Sequence, residues 1–243
     1  MGRARVEDSP AGAAATEAGR PPRALRAARA VALALAAALP VTLLALLVRE
    51  RFNPLISFDE GVIKAATDFT RSHGLVGFFV FVQAVSQPKW LMLVGTLVCL
   101  WAWLAKDLRN RALWAFATLM VGWFVGYASK LLVQRARPVV ADPVSHAPGY
   151  SFPSGHALNV TVFATVMVFL VWPLLSRTAR KVAVAAATVL VLVVGADRMF
   201  LGAHFPSDVL AGVVLGLGIT FSSWIGFIGK TAATSSPGPS APA

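Results

Sequence analysis

The chain has 243 residues, of which 57% are hydrophobic and only 14% charged, with a mean hydropathy of +0.69. Soluble domains carry about 25% charged residues, so this composition excludes an ordinary soluble domain. It predicts an all-α, polytopic membrane protein. The net charge of +11 would suggest nucleic-acid binding in a soluble protein. No basic groove studded with aromatic residues accompanies it, so we expect no nucleic-acid partner and assign the charge to basic cytoplasmic loops.

The cysteine content argues against a disulfide or a zinc site. Cys99 is the only cysteine and lies within an apolar run. A single cysteine forms no internal disulfide, and no Cys/His cluster suggests zinc. We therefore expect no internal disulfide and no zinc site, and the sequence gives no reason to expect a cofactor.

The two ends of the chain differ from its middle. Residues 1–23 are rich in Ala, Gly, Pro and Arg without periodicity, and are predicted to be a disordered basic tail on the cytoplasmic side. The apolar stretch that follows is too long for a signal peptide and is interpreted as a retained membrane anchor. Residues 24–229 are predicted to form one membrane domain, and residues 230–243 a second disordered tail.

Six segments are apolar and long enough to cross a bilayer as helices. They are residues 25–48, 89–104, 113–133, 157–175, 182–199 and 209–228. Six spans place both termini on one side, together with the basic loops 106–111 and 177–181. The positive-inside rule makes that side cytoplasmic.

The segment between the first two spans is different. Over residues 55–69, apolar residues recur at helical spacing beside charged ones, which suggests an amphipathic helix on the membrane surface. Its apolar positions are Ile56, Val62, Ile63, Ala66 and Phe69, and its charged positions are Asp59, Glu60, Lys64 and Asp68. Residues 74–85 are apolar but short for a span, which fits a re-entrant or interfacial helical segment.

Counting the spans places polar residues from separate segments at the outer face of the membrane. These residues are Lys130, Arg137, Ser154, His156, Arg198, His204 and Asp208. Convergence of this kind is what an active site requires.

Pro153-Ser154-Gly155-His156 opens the fourth span. A Ser-Gly pair ahead of a helix leaves backbone N–H groups available and forms an anion seat. His156 then lies in the first helical turn. The alternative is a capped loop with an incidental histidine.

Two further segments carry charge near this seat. Lys130 and Arg137 are seven residues apart and would share a helix face if the helix continued that far. Pro138 stops that helix, and Arg135 matches no pattern and is interpreted as a surface charge. In the other segment, His204 and Asp208 are four residues apart, which lets a carboxylate fix the imidazole tautomer. The other ring nitrogen is then free to attack as a nucleophile.

Taken together, Lys130-x6-Arg137-Pro138, Pro153-Ser154-Gly155-His156 and Arg198-x5-His204-x3-Asp208 resemble the three-part signature of the type-2 phosphatidic acid phosphatase superfamily. The match covers residues 130–208, and the six-span layout extends it over most of the chain. The resemblance implies an integral membrane phosphatase of the bacterial six-span type that works without a metal.

The resemblance also implies a role for each matched residue. Lys130, Arg137 and Arg198, with the Ser154 hydroxyl and the Gly155 N–H, would hold the phosphate. His204 would be the nucleophile that forms a phosphohistidine, with Asp208 as its orienting partner. His156 would be the general acid that later activates water. One position departs from the family: Asp197 stands where a serine is usual, and would brace either Arg198 or Lys130.

The expected substrate is a lipid phosphate or diphosphate at the outer membrane–water interface. A polyprenyl diphosphate of the undecaprenyl type is favoured, and phosphatidylglycerophosphate and phosphatidate are alternatives. A vanadium-dependent haloperoxidase would have a similar anion pocket, but those enzymes are soluble. A membrane protein that only binds phosphate is a third alternative. Asp142 and Tyr150, just before the seat, are candidates to contact a head group.

Overall fold

The computed structural model describes residues 22–139 and 149–227. The predicted C-terminal tail, nearly all of the predicted N-terminal tail, and Asp142 lie outside these ranges. Within them the chain forms one 3-10 turn (Trp172–Leu174), no β-strand and eight α-helices, which are α1 (Arg23–Arg49), α2 (Asn53–Ser72), α3 (Val76–Val85), α4 (Pro88–Lys106), α5 (Arg109–Val133), α6 (Gly155–Val171), α7 (Arg177–Phe200) and α8 (Pro206–Phe227).

Six of these helices are long and apolar enough to cross a membrane: α1, α4, α5, α6 with its 3-10 turn, α7 and α8. The prediction of an all-α bundle with six spans is confirmed, and the predicted spans match these helices to within a few residues. Several helices begin where the sequence supplies a start signal. The Ser154 and Ser176 hydroxyls cap α6 and α7 by accepting from the amides of Ala157 and Ala179, at 3.4 and 3.2 Å.

The central helix of the bundle is α6, which packs against α4, α5, α7 and α8. Half of the α6 span is buried, against 11–28% of each other span. The outer surfaces of the other helices expose large apolar side chains such as Phe124, Leu104 and Leu132, which are 70–74% exposed. Such a surface suits hydrocarbon, not water.

Glycines let α5 and α8 approach α6 closely. A β-carbon at Gly122 would lie 3.0 Å from the Val162 side chain, and one at Gly216 would lie 2.8 Å from Thr161. Each belongs to a Gly-x3-Gly pattern, Gly122-x3-Gly126 in α5 and Gly212-x3-Gly216 in α8, and both patterns pack inside the bundle, as small residues do between membrane helices.

The segment between the first two spans consists of α2 and α3. Both pack against the C-terminal half of the bundle, and the Thr70 hydroxyl of α2 donates to the carbonyl of Phe200, at the end of α7, at 2.9 Å. This segment is helical, as predicted, and α2 is amphipathic. It lies at the end of the bundle where α5 and α7 finish and where α6 and α8 begin.

Candidate active site

The predicted anion seat at the start of α6 lies against the segment that carries Asp208. The Ser154 N–H donates to the carbonyl oxygen of Asp208 at 2.9 Å, and Ser154 is fully buried. Because this bond joins main-chain atoms, it fixes the seat and the first turn of α8 relative to each other.

Lys130 approaches the seat from α5. A β-carbon on Gly155 would lie 3.6 Å from Lys130 Cε, so the lysine stem passes directly beside this glycine. Its Nζ donates to the carbonyl of Tyr150 at 2.6 Å. The Tyr150 contact with the site is therefore made by its backbone oxygen.

Arg137 reaches the site from a loop. The shared helix face considered for Lys130 and Arg137 does not form, because α5 ends at Val133 and Gln134 takes a left-handed conformation with φ 53°. Arg137 Nε donates to the Gly149 carbonyl at 3.0 Å, and its Nη1 donates to the Ala203 carbonyl at 2.9 Å. Burial lowers the pKa of Arg137 below its ordinary value.

His204 lies between Arg137 and Asp208. Its Nε2 is 3.3 Å from Arg137 Nη1, and its Nδ1 is 3.6 Å from Asp208 Oδ2. The second distance is longer than a hydrogen bond but places the carboxylate on the Nδ1 side of the ring. This arrangement favours the tautomer with the proton on Nδ1, which leaves the Nε2 lone pair facing Arg137. Only 3% of His204 is exposed, and burial lowers its pKa to about 4, although Asp208 acts in the opposite direction.

His156 is half-buried in the first turn of α6, and its buried Nε2 has no hydrogen-bond partner among the residues that the structure describes. It is within electrostatic range of Arg198, His204, Lys130 and Arg137. The structure thus brings both predicted histidines and all three predicted phosphate-binding cations to one end of the bundle.

Arg198 is held by two acceptors. Its Nε donates to Asp197 Oδ2 at 2.8 Å, with a second bond from Nη2 to the same oxygen, and Nη1 donates to Gln83 Oε1 at 3.0 Å. Of the two roles considered for Asp197, bracing Arg198 is therefore the one observed. Gln83 belongs to α3, so the short helix between the first two spans contributes to the site, which the sequence did not indicate.

The interpretation of Arg135 as a surface charge is wrong. Only 7% of Arg135 is exposed. Its Nη1 donates to Asp208 Oδ1 and its Nη2 to Asp59 Oδ2, both at 2.7 Å. Asp59 is also buried and does not belong to the polar face of α2. It lies in one inward-facing row with Ile63 and Thr67, and this i, i+4 spacing was the sequence signal for its burial.

A groove of about 1290 Å³ opens beside this cluster. It runs between α2 and the connection that follows α5, and residues lining it include Lys64, Arg71, Arg137 and Phe205. The groove does not include His204 or His156. Arg137 therefore links the groove to the histidines.

The chain is similar to known proteins in sequence and in structure. A family model described as the PAP2 superfamily matches residues 111–231. Phosphatidylglycerophosphatase B of Bacillus subtilis is 42% identical over 92 residues, which is 37% of this chain and 44% of that protein. Decaprenylphosphoryl-5-phosphoribose phosphatase of Mycobacterium tuberculosis is 33% identical, over 44% of this chain and 58% of that protein.

A third relative, undecaprenyl-diphosphatase BcrC of Bacillus subtilis, is 29% identical over 51% of this chain and 62% of its own length. The chain thus matches about half the length of these curated relatives. The crystal structure of a transmembrane PAP2-type phosphatidylglycerolphosphate phosphatase from Bacillus subtilis superposes with a TM-score of 0.65. That superposition is at 26% identity and covers 81% of this chain and 96% of that one. With its six long apolar helices, the chain is a multi-pass membrane protein.

Proposed function

Because the chain belongs to the PAP2 superfamily, we propose that it hydrolyses a lipid phosphate or lipid diphosphate through a phosphohistidine, without a metal. The observation that carries this proposal is the position of His204 between a carboxylate and a guanidinium. Asp208 faces its Nδ1 at 3.6 Å and Arg137 faces its Nε2 at 3.3 Å. A histidine held in this way presents a lone pair at a point where cations bind phosphate oxygens.

In the first step, the His204 Nε2 lone pair attacks phosphorus and the bond from phosphorus to the leaving oxygen breaks. His156 donates a proton to that oxygen, and the lipid alcohol or lipid phosphate departs. The charge on the equatorial oxygens is stabilised by Lys130, Arg137 and Arg198, with the Ser154 hydroxyl and the Gly155 N–H. The cations would exchange their present carbonyl or carboxylate acceptors for these oxygens.

In the second step, water attacks the phosphohistidine. His156 removes the proton of the water, the phosphorus–nitrogen bond breaks, and inorganic phosphate leaves. His204 recovers its lone pair. Asp208 keeps the ring oriented in both steps and stabilises the cationic intermediate. The three cations supply the electrostatic role that a metal ion has in other phosphatases.

The substrate we favour is a polyprenyl diphosphate, which would give polyprenyl phosphate and phosphate. Two relatives are named for polyprenyl substrates, an undecaprenyl diphosphatase and a decaprenylphosphoryl phosphoribose phosphatase. A third is named for phosphatidylglycerophosphate. That lipid and phosphatidate are the alternative substrates.

We also propose that the site faces the extracytoplasmic side of the cell membrane and that both termini are cytoplasmic. The support is the positive charge at the opposite end of the bundle, on the helix ends that carry Lys106, Arg109, Arg111, Arg177 and Lys181. The membrane phosphatase domain would cover residues 24–229, with its motif core at residues 130–208.

Phosphate release by the purified protein tests the function. Undecaprenyl diphosphate, phosphatidylglycerophosphate and phosphatidate are compared in the presence of EDTA, with His204→Ala and His73→Ala as a matched pair. His73 is exposed at the end of α2, so its variant should keep full activity. His204→Ala should release no phosphate and still bind the lipid. Near-normal release by His204→Ala, or loss of wild-type activity in EDTA, would contradict the proposal.

A further inference from the structure

A buried group of three charges lies behind His204, on the far side of Asp208. Arg135 Nη1 donates to Asp208 Oδ1, and its Nη2 donates to Asp59 Oδ2, both at 2.7 Å. Arg135 is 7% exposed, and both carboxylates are fully buried. The guanidinium also lies over the Phe205 ring, 4.0 Å from its centroid.

Asp59 ties this group to α8 from another helix. Besides Arg135, its carboxylate accepts the Ser207 backbone N–H at 3.1 Å and the Ser207 hydroxyl. The same hydroxyl oxygen accepts from Arg135 Nη1 at 2.7 Å. The Asp59 side chain therefore holds both the arginine and the first turn of α8, which carries Asp208.

Burial of three charges is expensive unless they are paired and hydrogen-bonded. Here two carboxylates share one guanidinium, and the two oxygens of Asp208 have different partners. Oδ1 accepts from Arg135, and Oδ2 accepts the Phe205 N–H at 3.0 Å while facing His204. The orientation of the carboxylate toward the imidazole is thus set from the Arg135 side.

We infer that Arg135 and Asp59 are positioning residues for His204 that act through Asp208, so that α2 is part of the catalytic unit. This inference rests on the proposed function, because it concerns the residue assigned as nucleophile. It assigns a role to two side chains that none of the three motifs specifies.

The inference predicts the direction of a change in the pH profile. The groups whose charge acts on His204 are Asp208 from α8, Arg137 from the connection after α5, Lys130 from α5 and His156 from α6. Arg135 reaches His204 through Asp208, and Arg198 from α7 acts on His156. The charge of Arg135 weakens the attraction between Asp208 and a proton on His204. Its removal should therefore stabilise the imidazolium and move the acid limb of kcat/KM to higher pH, by about 1 pH unit.

The experiment compares Arg135→Gln, Asp59→Asn and Lys64→Gln in the full-length protein, with lipid phosphate as substrate. Lys64 pairs with Asp68 on the exposed face of the same helix, so Lys64→Gln is the matched control. For Arg135→Gln we expect kcat to fall on the order of 100-fold, because a displaced nucleophile loses its alignment. KM should stay within about twofold of the wild-type value, and the acid limb should move to higher pH. Asp59→Asn should lower kcat without raising the acid limb, since it leaves the arginine charge in place.

A folded Arg135→Gln variant whose acid limb matches that of wild type would overturn the inference. If that variant does not fold, Arg135→Met, which also removes the charge, replaces it, and a shift of the acid limb to higher pH is again required. Absence of phosphate release by the wild-type protein would count against the proposed function. If the wild-type protein releases phosphate and the Arg135 variants have the same kcat and the same acid limb, the result would count against this inference alone.

Discussion

Gly212 of α8 lies directly against Ser154 at the start of α6. A β-carbon at position 212 would come within 2.7 Å of the Ser154 carbonyl oxygen and 3.0 Å of the Leu158 amide nitrogen. Both are main-chain atoms, and they cannot rotate away as a side chain can. The closeness of the two helices therefore requires glycine at this position, and it brings Asp208 beside the phosphate seat.

The Gly212→Ala substitution should therefore destabilise the protein and reduce its activity. Overpacking of this kind costs about 1–3 kcal/mol. Gly61→Ala is the control, because no described residue lies within 4 Å of a β-carbon there, and alanine favours the helix by about 0.5–1 kcal/mol. Thermal unfolding in detergent and phosphate release measure both variants. Equal unfolding temperatures and equal phosphate release in the two variants would contradict the packing argument.

His156→Ala should reduce the hydrolysis of lipid monoesters more than that of diphosphates. An alkoxide is a poor leaving group and needs a proton, whereas a phosphate leaving group is already acidic. The ratio of kcat values for phosphatidate and undecaprenyl diphosphate, in wild type and variant, is the measurement. Equal losses on both substrates would exclude His156 as the general acid.

The acid limb of wild-type kcat/KM should have its midpoint near pH 4. In the proposed mechanism His204 attacks with an unprotonated nitrogen, and burial lowers its pKa to about 4, so this nitrogen stays unprotonated throughout the neutral range. Activity should fall only as the pH drops through that value. Two substrates with different phosphate pKa values separate ionisation of the enzyme from that of the substrate. A limb near the ordinary histidine pKa of about 6.5 on both substrates would contradict the lowered pKa.

Asp197→Ser should tighten the binding of vanadate, which resembles a phosphate in its transition state. The Asp197 carboxylate accepts two hydrogen bonds from Arg198 and so neutralises its charge. Without this carboxylate, Arg198 would direct its full charge at the anion, for a gain of about tenfold in affinity. Weaker vanadate binding by the variant would mean that Asp197 aims Arg198 at the phosphate.

Asp197→Ser should also lower thermal stability, because a buried arginine loses its partner, at a cost of about 3–5 kcal/mol. Asp197→Asn keeps the shape of the side chain but not its charge, and so separates the effect of the lost charge from that of the changed shape.

A cysteine at position 139 should react with an impermeant reagent added to intact cells. Val139 is fully exposed in the connection after α5, at the end of the bundle that carries the site. Asn110→Cys, in the exposed first turn of α5 at the other end, should react only after permeabilisation. Both variants are made in a Cys99→Ser background. The reverse pattern of labelling would place the site on the cytoplasmic side.

The six spans could be predicted because hydropathy is a local property of each helix. Counting the spans fixes the end of the bundle at which each residue lies. It therefore predicted that one end carries Lys130, His156, Arg198 and His204. Both predictions needed only the order of the residues along the chain.

Arg135 and Asp59 escaped prediction because their pairing joins positions 76 residues apart. Next to Glu60, Asp59 resembles a residue of the solvated face of α2, and only the fold shows that it faces inward with Ile63. The path of Arg137 was hidden for a similar reason. The left-handed turn at Gln134 has no signal in the residue type, and it directs the following loop into the site.

The bond from the Ser154 N–H to the Asp208 carbonyl joins the seat to the segment that carries His204 and Asp208 through main-chain atoms alone. Because no side chain takes part, this bond remains when any single polar group of the site is removed. Substitution at Lys130, His156 or His204 should then delete one chemical group from an otherwise assembled site. The activity lost in each variant should report what that group contributes to the reaction, separately from the cost of assembling the site.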